Sequence, residues 1–148
     1  MNKLSNLHKS KNTYNDSKKS LTYCLLVTGP AYGTQQAINA WKFANTLVME
    51  GHILKTIFFY QEGVYNGNKF ISPASDEFNL LIGWKTLAQK IGCKLNICVT
   101  GALRRGIIND IEVKNKNLTF ANLDKDFVLS GLVSLTNEML ICDRTIQF

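Results

Sequence analysis

Residues 96–106 read NICVTGALRRG and gather a thiol and two guanidinium groups around a glycine turn. The thiol belongs to Cys98. Thiols react as thiolates, and cationic neighbours such as Arg104 and Arg105 favour that form. Amides at the start of a short helix near Ala102 would act in the same direction. A cysteine in this setting suits thiol exchange, including carriage of an extra sulfur as a persulfide, because a strand end beside loops leaves access for a second sulfur. On strand parity Asn96, Cys98 and Thr100 share one side, while Leu95, Ile97 and Val99 share the other. A central strand buried on both faces is usually apolar on both, so the mixed side points to a partly open or polar pocket in which Asn96 orients or polarises the contents. Against this stands the small buried hydrophobe, the commonest state of a free cysteine. Composition and periodicity favour the buried hydrophobe and leave the reactive thiolate open.

The other chemistry-bearing residues offer less. Cys24 lies between Tyr23 and Leu25 with no adjacent cation, and Cys142 adjoins Asp143 and Arg144, whose charges offset; both read as core. Cys93 follows a helix-stopping glycine, and nothing near it builds a pocket. There is no CxxC pair, and the gap from Cys24 to Cys93 suits no compact zinc knuckle. His8 and His52 have no cysteine or carboxylate at ligand spacing, so neither a metal centre nor a Ser-His-Asp arrangement is expected. The stretch TGPAYGTQQA (28–37) matches neither GxGxxG nor the GxxxxGK phosphate loop. Its Tyr32, Thr34, Gln35 and Gln36 suit a surface lining or plain loop packing about equally. Tyr60, Tyr65, Phe70 and Phe148 form either an assembly patch or a small core of their own.

These residues need a frame, and the hydrophobic pattern supplies one. LTYCLLVT (21–28) reads as a strand closed by Gly29-Pro30. Ala37, Ala40, Trp41, Ala44, Leu47 and Val48 make one helical stripe that Gly51 stops. ILKTIFFY (53–60) is the next strand, and residues 61–75 read as a long loop of the kind that binds or covers something. A second helix is expected from Ser75, with Asp76 and Glu77 in its first turn, Phe78, Leu81, Ile82, Ala88 and Ile91 inward, Trp84 alongside and Gly92 at its end. KLNICV (94–99) is a third strand. Residues 102–109 form a short helix or an irregular crossing, residues 129–139 a short helix, and LICDRTIQ (140–147) the last strand. Alternation of strand and helix is the signature of crossover units in a mostly parallel sheet with helices on both faces. Ligands in such folds meet the loops beyond the C-terminal strand ends, which places the loops after Thr28, Tyr60 and Val99 on one rim.

Composition bounds the possibilities. A chain of 148 residues, 45% hydrophobic and 19% charged, suits one globular domain. No stretch approaches the apolar length of a membrane span, and the start lacks the apolar segment of a secretory signal, so a cytoplasmic location is the default. The net charge of +6 is concentrated in residues 1–20, whose five lysines oppose only Asp16. Those residues read as a polar, disordered extension ahead of a domain over 21–148. The domain itself is nearly balanced and lacks the broad basic footprint of a direct nucleic-acid binder.

Several blocks together resemble the DsrE/TusD family of sulfurtransferases: VTGPAYGTQQA (27–37), FFYQEGVYN (58–66), SPASDEF (72–78), NICVTGALRRG (96–106) and CDRTIQF (142–148). The likeness runs collinearly through residues 22–148. It implies a three-layer α/β sandwich with a mainly parallel sheet covered by helices. It also implies assembly with TusB-like and TusC-like subunits as a heterohexamer, receipt of sulfane sulfur from a TusA-like donor, and delivery to a TusE-like acceptor. The sulfur then serves 2-thiolation of the wobble uridine of transfer RNA, without stable direct RNA binding and without metal or organic cofactor. The family's sulfur-carrying cysteine falls on Cys98. Arg104, Arg105 and Asn96 are supporting candidates from position alone. The competing expectations are a sulfur-relay subunit of dissimilatory sulfur oxidation and a noncatalytic scaffold subunit.

Overall fold

The computed structural model describes residues 19–148. The reading of residues 1–20 as a disordered extension therefore lies, except for Lys19 and Ser20, outside the described residues. Five strands form one sheet: β1 (Thr22–Val27), β2 (Ile53–Phe59), β3 (Lys94–Cys98), β4 (Phe127–Ser130) and β5 (Arg144–Gln147). Their order is β4-β3-β2-β1-β5, and every pairing is parallel. Leu25, Ile57, Leu95 and Phe127 stand in one row across the sheet, and Leu26, Phe58, Asn96 and Val128 stand in the row behind it. Central strands of a parallel sheet must be covered on both faces, and Ile57, Phe58 and Phe59 of β2 are fully buried.

Two helices cover the first face. In α1 (Gln36–Met49) the expected stripe holds: Ala37, Ala40, Ala44 and Leu47 are buried. Tyr23 meets Phe43 edge-on, and Phe59 meets Trp84 of α2 (Leu80–Ile91) at 5.3 Å between ring centroids. On the other face, α5 (Leu132–Ile141) packs against β2 and buries Leu135, while α3 (Val99–Arg104) follows directly on β3 and contacts β3, β4 and the segment after β2. A further short helix, α4 (Asp110–Asn115), is capped by the Asn109 side chain, which accepts from the Glu112 amide.

Four expectations are corrected. The second helix starts at Leu80 instead of Ser75, because the side chain of Asn79 accepts from the Ile82 amide and caps the first turn there. Asp76 and Glu77 precede the helix, and its inward face carries Leu80, Leu81, Trp84, Leu87 and Ala88, leaving Phe78 and Ile82 exposed. Residues 127–130 pair with β3 as β4, so the last helix begins at Leu132. The open edge of β3 recruits that segment over its local helical tendency. The third strand ends at Cys98, and α3 starts at Val99. Finally, the expected loop 61–75 opens with a 3-10 helix, Gln61–Gly67, in which Gly63, Val64, Asn66 and Gly67 are buried.

That 3-10 helix is held from within. Asn66 is fully buried; its amide nitrogen donates to the carbonyls of Gly63 (2.8 Å) and Gly29 (3.0 Å), and its oxygen accepts from the Trp84 indole N–H (3.0 Å). One donor and two acceptors as partners leave a single amide orientation that satisfies all three. At Gly63 a Cβ would overlap the Val27 carbonyl oxygen, so only glycine allows the segment to lie this close to β1. The far end is tied by the Asp124 amide, which donates to the Gly67 carbonyl at 2.8 Å. Asp124 in turn accepts from Lys85 of α2 at 2.9 Å.

Two outcomes follow from these ties. Asn66→Ala strands the Trp84 indole and two carbonyls without partners and should destabilise the protein by about 2–4 kcal/mol, read from urea unfolding. For Asp124, burial works against ionisation, but the Asp126 amide and the Lys85 ammonium outweigh it and hold the carboxyl below its ordinary value. The interaction therefore stabilises above the ordinary carboxylate range and is lost as pH falls through the lowered value. The stability gap between wild type and Asp124→Asn, about 1 kcal/mol near neutrality for this partly exposed pair, should close in acid.

Candidate functional site around Cys98

Cys98 is the last residue of β3 and the N-cap of α3. With all strands parallel, this is the rim where the C-terminal ends of β1, β2 and β4 also finish. The Gly101 amide points back at the Cys98 sulfur, N to Sγ 3.4 Å, as a capping donor does toward a side-chain acceptor. The immediate start of α3 removes Val99 and Thr100 from the strand. The expected open, mixed strand face does not extend past the sulfur. Cys98 is instead 3% exposed. Gly101 lies directly against it: a Cβ there would sit 3.5 Å from Sγ and 3.3 Å from Val64 of the 3-10 helix. The sulfur thus occupies a seam between α3 and the 3-10 helix, with glycine keeping the crossing thin.

The two arginines behave differently. Arg104 is exposed in the last turn of α3. Arg105 is half-buried and turns back over its own helix, Nη1 donating to the Gly101 carbonyl at 3.3 Å. Its Nη2 and Nε both donate to one carboxylate oxygen of Glu62, at 2.7 and 2.9 Å. The hydrogen bond from Arg105 holds the Glu62 carboxyl below its usual range, and the same bond raises the guanidinium. Arg105 is also in electrostatic contact with Cys98. Glu62 was not singled out from the sequence. It lies 36 residues before Cys98 on an element read as a loop, and a charge of opposite sign carries no periodic signal.

Asn96 is buried one strand face row below the sulfur and donates to the Thr56 hydroxyl on β2 at 2.8 Å. Its amide group is engaged in joining β2 to β3. The remaining cysteines are thiols held neutral. Burial pushes Cys24 and Cys93 up to about 12 and also raises Cys142. A thiol so raised is a poor nucleophile near neutral pH. The His52 ring nitrogen accepts from the Leu21 amide, and no group of three His, Cys, Asp or Glu residues among the described residues could hold a metal ion. Tyr32, Thr34 and Gln35 line a groove of about 440 Å³ with Glu77 and Phe78, but the Tyr32 hydroxyl is engaged with the Phe78 carbonyl and the Leu80 amide. Tyr60 and Tyr65 pack against the core, Phe148 meets Phe43, and Phe70 is exposed, so the expected aromatic patch is dispersed.

Comparison with known proteins gives a consistent picture. The chain is 56% identical to the sulfurtransferase TusD of Photorhabdus laumondii over 129 residues, which is 87% of this chain and 98% of that protein. It is 52% identical to the sulfurtransferase TusD of an Enterobacter species, over 86% of this chain and all of that protein. It is 55% identical to that of Pectobacterium carotovorum, over 86% of this chain and 99% of that protein. The crystal structure of the ychN protein from E. coli superposes with a TM-score of 0.69 at 17% identity, covering 86% of this chain and 99% of that one, a likeness of fold. The sequence profile described as the DsrE/DsrF-like family matches residues 22–148, and the chain belongs to that family.

Proposed function

We infer that this protein is a sulfurtransferase of the TusD type, that residues 21–148 act as one domain, and that Cys98 carries the transferred sulfur. The observation behind the choice of cysteine is the seat of its sulfur: a strand end, an amide donor at 3.4 Å, and a guanidinium tied to the same turn. None of the other three cysteines combines these features, and burial holds all three as thiols.

The chemistry balances without a cofactor. The Cys98 thiolate attacks the outer sulfur of a donor persulfide. The donor S–S bond breaks, a new S–S bond forms at Cys98, and the donor leaves as its thiolate. An acceptor thiolate then attacks the outer sulfur of the Cys98 persulfide, and Cys98 leaves as thiolate. No net oxidation occurs, and the Gly101 amide lies 3.4 Å from the sulfur that attacks and later leaves. Because Cys98 is 3% exposed in the isolated chain, loading requires the seam between α3 and the 3-10 helix to part when the donor docks.

Protein partners fit this reading: a TusA-like donor, a TusE-like acceptor and TusB-like and TusC-like subunits, in the cytoplasm, with 2-thiolation of transfer RNA as the destination of the sulfur. Val133, Leu140 and Ile141 on α5 are 75%, 78% and 70% exposed, the kind of apolar surface that subunit association covers. No helix among the described residues is long and apolar enough to cross a membrane. The burial of Cys98 favours a second reading, a scaffold subunit whose cysteine is structural.

One experiment separates the two. After incubation of the assembled protein with a persulfide donor, intact mass should rise by one sulfur atom, labile to reductant and located on the Cys98 peptide. Cys98→Ser should abolish the gain while leaving fold and assembly unchanged. Undiminished loading of Cys98→Ser would eliminate Cys98 as the carrier, and full transfer RNA thiolation by that variant would establish the scaffold role.

A further inference from the structure

The reading of Cys98 as sulfur carrier leaves one charged group unexplained. Glu62 projects from the 3-10 helix across to α3, and a single oxygen of its carboxylate receives two N–H donors of Arg105. The third side of that guanidinium rests on the Gly101 carbonyl, and the Gly101 amide faces the Cys98 sulfur. The exposed carboxylate and the Cys98 sulfur are thus both tied to Gly101, one through Arg105 to its carbonyl and the other to its amide. Two opposite charges act there. The guanidinium lowers the energy of a thiolate or persulfide anion at Cys98, and the carboxylate opposes it.

We propose that Glu62 is a positioning residue for sulfur transfer, holding Arg105 against the turn that carries Cys98 and setting how much of its positive field the sulfur receives. The proposal rests on Cys98 being the carrier and adds the means by which its charge is set. Arginine is well suited to the part, since its planar fork can satisfy the carboxylate and the carbonyl at once while staying charged. Without the tether, a long flexible side chain on the surface would spread its charge over many rotamers. Glu62 is about half exposed and Arg105 less so, so water screens the carboxylate more strongly than the guanidinium. The charged and titratable groups on the elements around Cys98 are Glu62, Tyr65 and the adjoining Tyr60 beside the 3-10 helix, and Arg104 and Arg105 on α3. Lys94 stands at the far end of β3, and the C-terminal ends of β2 and β4 bring no charge.

The test reads the titration of Cys98 directly, as ultraviolet thiolate absorbance of the full chain after subtraction of the Cys98→Ser signal. The rate of iodoacetamide capture on the Cys98 peptide against pH gives a second reading. Glu62→Gln keeps an oxygen acceptor for Arg105 and removes only the charge. It should lower the Cys98 midpoint by about half a pH unit or more, while Arg105→Gln should raise it by a similar amount. Glu62→Ala removes the tether as well, so its midpoint should lie about half a pH unit or more above that of Glu62→Gln, and in an Arg105→Gln background the two substitutions should give the same midpoint. A Glu62→Gln midpoint that stays in place or rises would overturn the proposal. So would equal midpoints for Glu62→Ala and Glu62→Gln when Arg105 is intact, which would mean that the carboxylate holds nothing in place. Sulfur loading of the wild-type protein by a persulfide donor is measured alongside. Its absence tells against Cys98 as carrier, whereas normal loading with unmoved midpoints tells against Glu62 alone.

Discussion

The side-chain amide of Asn66 is the point from which the rest of the rim is arranged. Buried with no water to compete, it joins three separate stretches of chain: the carbonyl of Gly29 after β1, the carbonyl of Gly63 within its own turn, and the indole of Trp84 on α2. Each bond is worth only about 1 kcal/mol net, but a missing partner would leave a desolvated polar atom at higher cost. Satisfying all three fixes where the 3-10 helix lies. Val64 and Glu62 on that helix are thereby brought against α3, one touching the Gly101 crossing and the other reaching Arg105. A residue with no part in the chemistry thus sets the walls of the sulfur's seat.

The seat itself reconciles two demands that pull in opposite directions. An anionic sulfur gains from fixed amide and guanidinium donors in a sheltered place, whereas transfer between proteins requires approach of another sulfur. On the proposed carrier role, the isolated chain meets the first demand with the Gly101 amide and leaves the second to motion along a seam bridged at the surface by an ion pair. Such a pair is weak when exposed, and salt or a charged partner competes with it readily. The other cysteines show the contrasting solution. Cys24 sits in the sheet with nothing to offset desolvation and stays a neutral, inert thiol.

Much of the frame was legible in the sequence because the relevant signals are periodic and local. The spacing of Ala37, Ala40, Ala44 and Leu47 is that of one helix face, and β1 and β2 stand between turn residues as apolar runs. For Cys98 the neighbours alone favoured a buried core residue, and the carrier role was an expectation of the family resemblance. What escaped had non-local causes. β4 is four residues long and exists because β3 offers it an edge. The start of α2 is decided by whether Asn79 or Ser75 caps it, and Trp84 turns inward to meet Asn66. Glu62 and Arg105 lie 43 residues apart, and no pattern in the sequence says that they touch. Asn96, a candidate for the sulfur pocket on parity, is claimed by Thr56 across the strand pair.

The common direction of the strands also gives the molecule two unlike ends. Ser20 bonds the Gly51 carbonyl and Thr22 bonds Asp143, so the chain enters the sheet at the end where β1, β2 and β5 begin. Cys98 stands at the opposite end, where β3 finishes. Whatever is attached ahead of Lys19 therefore joins the fold on the side away from the sulfur. A protein anchored by that side, to a bead or to a larger assembly, would keep the end that holds Cys98 free.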